Sequence, residues 1–181
     1  MSSMNTTEHI VLKTTGNPVQ IYTDGSSFPN PGFGGSASVA ISNSKVIGIM
    51  TSQEVDSTNN RMEIQGLILA YLQMQKLEIP CEVTVYTDSI YAIKGLTEWR
   101  KSWEASGFKT SSKADVKNCD LWQTLYKLAD ECKHKVTHQW VKGHAFDRGN
   151  ILVDEVASMA RKHIGVNFDS YFTKFDSSFT L

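Results

Sequence analysis

Ile21-Tyr22-Thr23-Asp24 has a twin further along the chain, Val85-Tyr86-Thr87-Asp88. Each closes a β-branched, aromatic run with the composition of a strand. Side chains alternate along a strand, so Tyr22 and Asp24 share one face, and Tyr86 and Asp88 likewise. Laid side by side and parallel, the two strands bring both carboxylates out at one edge of a sheet. Packing offers no reason to bring two acids together there. A cation does.

The residues between the twins decide whether they run parallel. After Asp24, the stretch from Gly25 to Gly35 is dense in turn formers but lacks the Gly-Lys-Ser/Thr of a nucleotide P-loop. Residues 35–41 and 45–51 flank Ser42-Asn43-Ser44 as a hairpin, which with strand 19–23 makes an antiparallel unit of three. A helix follows from Asn59 or Asn60 to Leu77, with capping candidates in Ser57-Thr58-Asn59-Asn60 and Pro80 just past its end. Its inner stripe is Leu67, Ala70, Met74 and Leu77. Four residues before Leu67 stands Glu63, an acid heading the buried stripe and therefore aimed at the sheet. Gly66 leaves room beside it. Strand 81–87 comes next, and strand–helix–strand implies a right-handed crossover with parallel pairing. Asp24 and Asp88 then lie at the carboxyl ends of neighbouring strands, where open α/β sheets place their sites.

The remainder reads as a short helix over 89–96, an amphipathic helix over 121–132, and a last strand over 136–141 bearing His138 and Trp140. Between them, Trp99-Arg100-Lys101-Ser102-Trp103 and the lysines at 109, 113 and 117 interleave rings with cations, a pattern suited to phosphates and sugars. Gly143-His144 opens a polar loop. Asn150 serves as the expected N-cap of a helix running to 164, which puts Asp154 in its first turn. Residues 1–17 read as a loose leader. In the tail, Phe168, Tyr171, Phe172, Phe175 and Phe179 have the spacing of one aromatic helix face.

At 181 residues, 40% hydrophobic and 20% charged, the chain is long enough for one well-cored globular domain. No run of 18 apolar residues suggests a membrane span, and no signal pattern opens the chain, so a cytoplasmic, monomeric protein is expected. Cys81, Cys119 and Cys132 lack metal-binding spacing and read as free thiols or core residues. The net charge of −1 means that any nucleic-acid binding must rest on local clusters of charge.

Taken singly, each acid has an ordinary explanation as a turn, cap or helix-dipole residue. Taken together, Asp24, Glu63, Asp88 and Asp154 form a cluster that would repel itself unless cations neutralise it. Oxygen-only ligands favour hard ions such as Mg²⁺ or Mn²⁺. Two such ions about 4 Å apart are the arrangement that cleaves phosphodiesters.

Five segments in order carry a family resemblance: Tyr22-Thr23-Asp24-Gly25-Ser26, Asn59-Asn60-Arg61-Met62-Glu63, Tyr86-Thr87-Asp88-Ser89, Trp140-Val141-Lys142-Gly143-His144 and Asn150-x-x-x-Asp154. Over residues 19–164 the chain resembles type 1 ribonuclease H, of the bacterial branch with a basic protrusion. The resemblance implies an α/β ribonuclease H-like fold: a five-stranded mixed sheet, its first three strands antiparallel, with helices on both faces. It implies cleavage of the RNA strand of an RNA/DNA hybrid, leaving 5′-phosphate and 3′-hydroxyl ends, with two Mg²⁺ ions and Mn²⁺ as a substitute. Asp24 would be shared by both ions, Asp154 would complete the water-activating site, and Glu63 and Asp88 would hold the second ion. His144 matches the family histidine that assists proton movement or product release. Ser27, Asn30, Asn59 and Asn60 match contacts to the RNA strand, whose 2′-hydroxyls identify it. Thr58 and Asn118 resemble a pocket for a DNA-strand phosphate, flanked by Lys109 and Lys117. Trp99 and Trp103 match aromatics beside the deoxyriboses.

The chain departs from the pattern in three places. Glu104-Ala105-Ser106 stands where relatives carry a Lys/Arg run, so residues 98–117 hold five cations against three acids and the protrusion is weakened. Ile90 replaces a polar residue after Asp88-Ser89, and Ile151 a Glu after Asn150. The expected division is a leader over 1–17, a catalytic domain over 18–164 and a tail over 165–181. Two alternatives stand beside this reading: a hybrid-binding module without catalysis, and another metal-dependent nuclease of the same fold.

Overall fold

The computed structural model describes residues 5–11, 16–143, 147–164 and 169–175. Its strands are β1 (Asn5–Val11), β2 (Val19–Phe28), β3 (Gly32–Ser42), β4 (Lys45–Ser57), β5 (Glu82–Thr87) and β6 (Lys135–Trp140). They form one mixed sheet in the order β1-β4-β3-β2-β5-β6. The helices are α1 (Asn59–Gln75), α2 (Ile90–Lys94), α3 (Arg100–Ala105), α4 (Cys119–Glu131) and α5 (Arg148–Lys162). A π-turn over Gly95–Trp99 joins α2 to α3.

Alternation along β2 sorts the core into two layers. Val19 and Ile21, with Val83 and Val85 of β5, face α1 and α4, where Leu67, Ala70, Met74, Leu121, Trp122 and Leu125 complete one cluster. Tyr22, with Val39 and Ile41 of β3 and Ile49 of β4, faces α5 and packs on Val153, Val156 and Ala157. Helices therefore cover both faces, as expected. β2 and β5 are parallel, with Tyr22 opposite Tyr86 and Thr23 opposite Thr87. The twin phrases are in register, residue for residue.

The expectation of five strands and a loose leader is corrected. β1 pairs antiparallel with β4, from Asn5 opposite Gln53 to Val11 opposite Gly48, and adds a sixth strand. Its sequence has β-branched residues but shows no apolar alternation of its own; the exposed edge of β4 supplies what makes it a strand. The turn-rich stretch is also corrected. β2 continues through Gly25 to Phe28, and β3 begins at Gly32, leaving only three residues at the tip. The glycines lie in strands because helices press on their backbone: a Cβ on Gly25 would lie 2.2 Å from the carbonyl carbon of Met62 in α1. Between β3 and β4, Asn43 and Ser44 both take left-handed backbone (φ 52° and 60°), the requirement of a two-residue hairpin turn.

In the tail, Asp169–Lys174 forms a 3₁₀ turn, where the aromatic spacing predicts an α-helical face. Phe172 and Phe175 are buried in the α5 layer, and Phe172 stacks on His9 of β1 at 3.9 Å. Phe168 and Phe179 lie outside the described residues. Among those described, no helix is long and apolar enough to cross a membrane.

Candidate active site

Register delivers the first pair of acids. Because Thr23 and Thr87 are partners on parallel strands, Asp24 and Asp88 follow at adjacent positions on the same edge. Asp24 still lies within β2, paired with Ala37, while Asp88 ends its strand and leads through the N-cap Ser89 into α2. Glu63 arrives from the other layer. It lies in the second turn of α1, whose approach is set by Gly66: a Cβ there would lie 3.0 Å from the Asp24 carbonyl oxygen. Asp24, Glu63 and Asp88 each present a carboxylate oxygen, all within 4.8 Å of one another.

Asp154 of α5 stands beside Asp24 and acts on its carboxyl, without being one of the three carboxylates that meet within 4.8 Å. Its place on the helix differs from expectation. Asp147, not Asn150, is the N-cap, its carboxylate accepting from the Gly149 and Asn150 amides at 2.9 and 3.1 Å. Asp154 is therefore the seventh residue of α5, in the second turn. Asn150 is instead a buried residue of the first turn.

Electrostatics mark this cluster as incomplete. Burial pushes the Asp24 carboxyl well above the carboxylate range, Asp88 and Asp154 push it further, and the Gly25 amide only partly opposes them. Burial does the same to Glu63, followed by Asp24, Asp88 and Asp154. The charged groups acting on both acids are carboxylates. Glu63 Oε2 is buried and has no hydrogen-bond partner among the described residues. A hard divalent cation answers both facts, since it supplies the missing positive charge and a partner for the orphaned oxygen.

The expected substrate contacts gather beside the acids. Ser27 at the end of β2 donates from its amide to Asn59 Oδ1 at 2.7 Å, and its hydroxyl donates to Asn30 Oδ1 at 3.1 Å. The Asn59 amide closes the set on Asn30 Oδ1 at 3.3 Å. Asn60 follows on the exposed first turn of α1. Thr58 is the N-cap of α1, accepting from the Arg61 amide at 3.3 Å. Asn118 sits at the head of α4 with left-handed backbone, its amide donating to the Tyr91 hydroxyl at 3.3 Å.

Sequence reasoning gave Arg61 no role. Its Nε donates to both Glu54 oxygens at 3.1 and 3.0 Å, and its terminal nitrogens grip both oxygens of Asp120. This fork ties the N-terminal turns of α1 and α4 together, and so sets Thr58 and Asn118 relative to one another. Nothing local in Asn59-Asn60-Arg61 signals it, because Asp120 is 59 residues away.

Trp99 and Trp103 are half-buried parts of a ring stack. They lie 5.3 Å apart, and Trp103 is 5.4 Å from the fully buried Trp122. Of the cations around them, Arg100 is bound to Glu104 and Asp130, and Lys109 to Asp115 at 2.6 Å. Ile90 and Ile151 are 58% and 51% exposed, apolar at positions open to a ligand. His144 lies outside the described residues. Before it in the chain, Gly143 lies against Asp88, where a Cβ would lie 2.5 Å from the carboxylate; after it, Asp147 caps α5.

Comparison with known proteins agrees with this geometry. The family model described as RNase H matches residues 16–162. The chain belongs to the RNase H family. It is 44% identical over 147 residues to the ribonuclease H of Francisella philomiragia subsp. philomiragia, covering 81% of this chain and 93% of that one. The ribonuclease H of Francisella tularensis subsp. novicida is 45% identical over 144 residues, covering 80% and 91%. Among solved structures, LC9-RNase H1, a type 1 RNase H with the type 2 active-site motif, superposes with a TM-score of 0.70 at 25% identity, covering 83% of this chain and 75% of that one. The foamy viral protease-reverse transcriptase in complex with RNA/DNA hybrid shares the fold, at a TM-score of 0.67 and 18% identity over 81% of this chain and 20% of that one. RNase H enzymes work with a divalent metal, and the acidic cluster is of the kind that holds one. β1 and the 3₁₀ turn of the tail both lie outside the matched span, yet pack into the same body.

Proposed function

We propose that this RNase H hydrolyses the RNA strand of RNA/DNA hybrids at Asp24, Glu63, Asp88 and Asp154, leaving 5′-phosphate and 3′-hydroxyl ends. The observation that carries the reading is the convergence of three carboxylates, from β2, α1 and the end of β5, with Asp154 beside Asp24, around a buried oxygen that has no hydrogen-bond partner among the described residues.

Asp24, Glu63, Asp88 and Asp154 would hold the metal: Asp24 would be the ligand common to two Mg²⁺ ions, or Mn²⁺ in their place, with Asp154 completing one site and Glu63 and Asp88 the other. Bound there, such ions would supply charge for the attacking and leaving oxygens of a phosphoryl displacement. Ser27, Asn30, Asn59 and Asn60 present polar groups to the RNA strand and its 2′-hydroxyls. Thr58 and Asn118, held together by the Arg61 fork, receive a DNA-strand phosphate, with Trp99 and Trp103 against the sugars and Lys109 and Lys117 beside them. His144, by its match to the family histidine, assists proton movement or product release.

The test is one gel. With Mg²⁺, the purified protein is offered RNA/DNA hybrid, duplex RNA, duplex DNA and single strands. Cleavage of the RNA strand of the hybrid alone is the expected result. Cleavage of duplex DNA, or intact hybrid in both Mg²⁺ and Mn²⁺, would overturn the assignment.

A further inference from the structure

The tyrosine in the first twin phrase does something that its counterpart does not. Tyr22 is buried, its ring stacked nearly flat on Tyr86 with centroids 4.7 Å apart. Its hydroxyl points across to α5 and donates to Asp147 Oδ2 at 3.3 Å. The other oxygen of that carboxylate caps the helix through Gly149 and Asn150. The first turn of α5 then lies directly on the tyrosine ring: a Cβ on Gly149 would sit 2.3 Å from Tyr22 Cε2. Only a residue without a side chain permits that approach.

Two rungs therefore join β2 to α5. Tyr22 and Asp24 are two residues apart and share a strand face. Asp147 and Asp154 are seven apart, close to two full helical turns, and share a helix side. The first rung is Tyr22 to Asp147, and the second is Asp24 to Asp154. The second joins two carboxyl groups that are themselves ligands in the reading above, so the helix needs a fixed point outside them. The first is a hydroxyl-to-carboxylate bond that keeps its sign.

We propose that Tyr22, through Asp147, is a positioning residue that sets the height of Asp154 opposite Asp24 and thereby the spacing of the metal centre. The inference rests on the metal-binding reading given above. It concerns affinity for the ion, through the partners that orient its ligands. Tyr86 contributes by stacking, which fixes the plane of the Tyr22 ring and hence the direction of its hydroxyl.

The test is calorimetric titration of the full chain with Mn²⁺, without nucleic acid and well below the melting temperature. Tyr22→Phe, which removes only the hydroxyl, should weaken Mn²⁺ binding about tenfold, the lower end of what orienting partners of metal ligands contribute. Asp147→Ala should do the same, while Asp147→Asn, which keeps a capping oxygen and a polar partner for Tyr22, should recover most of the affinity. Leu125→Ala, a cavity in the opposite layer, serves as the control that lowers stability with no change in Mn²⁺ affinity. Unchanged binding in Tyr22→Phe, or an equal loss in Leu125→Ala, overturns the positioning role alone. Failure of the unsubstituted protein to bind Mn²⁺ in a manner abolished by Asp24→Asn overturns the metal centre and the positioning role with it.

Discussion

The carboxylate edge and the tryptophan arm treat charge in opposite ways. At the edge, acids from β2, α1, β5 and α5 meet in a partly buried space, and the charges acting on Asp24 and Glu63 all repel. In the arm, Arg100 has Glu104 and Asp130 as partners, and Lys109 has Asp115. Among the described residues, one region gathers acids whose charges repel; the other pairs two of its five cations with acids of its own chain. The difference separates chemistry from grip. On the proposed function, the edge takes a cation and the arm holds nucleic acid lightly.

The most direct way to break this contrast is to remove the shared acid. Asp24→Asn keeps the shape of the side chain and the strand pairing but removes the charge central to the cluster. Hydrolysis of the hybrid should fall on the order of a thousandfold or more, equivalent to about 4 kcal/mol of transition-state stabilisation. Binding of the hybrid, which depends on other residues, should persist. The metal-free variant should also melt at a higher temperature than the unsubstituted protein, because a repulsive charge has gone. Gel cleavage, fluorescence anisotropy and a melting curve check the three parts. Loss of binding along with cleavage would show that the edge also supplies grip.

A second, smaller effect concerns pH. Free Asp and Glu side chains titrate near 3.9 and 4.3. In the folded, metal-free protein both Asp24 and Glu63 titrate well above that range, chiefly because they are buried. The folded state therefore binds more protons than the unfolded state between those limits. The associated stability is fully present below the ordinary carboxylate range and is lost as pH rises through the raised values. Without metal, melting temperature should fall as pH rises from the ordinary carboxylate range toward pH 8. Mg²⁺ should restore much of it at pH 8, and Glu63→Gln should flatten the slope. An identical slope in Glu63→Gln would mean that the edge carries no such strain.

Much of this was legible in the chain because the decisive residues obey short-range rules. The twin phrases, the helix between them and the crossover rule together place Asp24 beside Asp88, and the heading position of Glu63 on a buried stripe places it over both. What escaped depends on partners distant in sequence. β1 becomes a strand because β4 has an edge to pair with, and its own alternation is weak. The β2–β3 tip looks like a long loop because its glycines mimic turn residues, although they are there to admit α1 and α5. Asp147 was passed over as an N-cap in favour of Asn150, although Asp before Arg-Gly-Asn is an equally good capping pattern. The Arg61 fork joins residues too far apart for any periodicity to reveal.

The smallest expected effect lies in the arm, and it sharpens the contrast most finely. Asp115→Asn removes the partner of Lys109 on an exposed surface, where an ion pair contributes little to stability. Folding should be almost unaffected. The released ammonium can instead approach a phosphate, and each phosphate neutralised steepens the dependence of log affinity on log salt by up to about 0.9. Measured by anisotropy on an Asp24→Asn background, so that the hybrid stays whole, the single variant should steepen the slope by up to that amount. A further Glu104→Gln change should steepen it again by releasing one of the two acids on Arg100. If neither change moves the slope, these cations do not face the hybrid, and the internal ion pairs of the arm do not limit its grip.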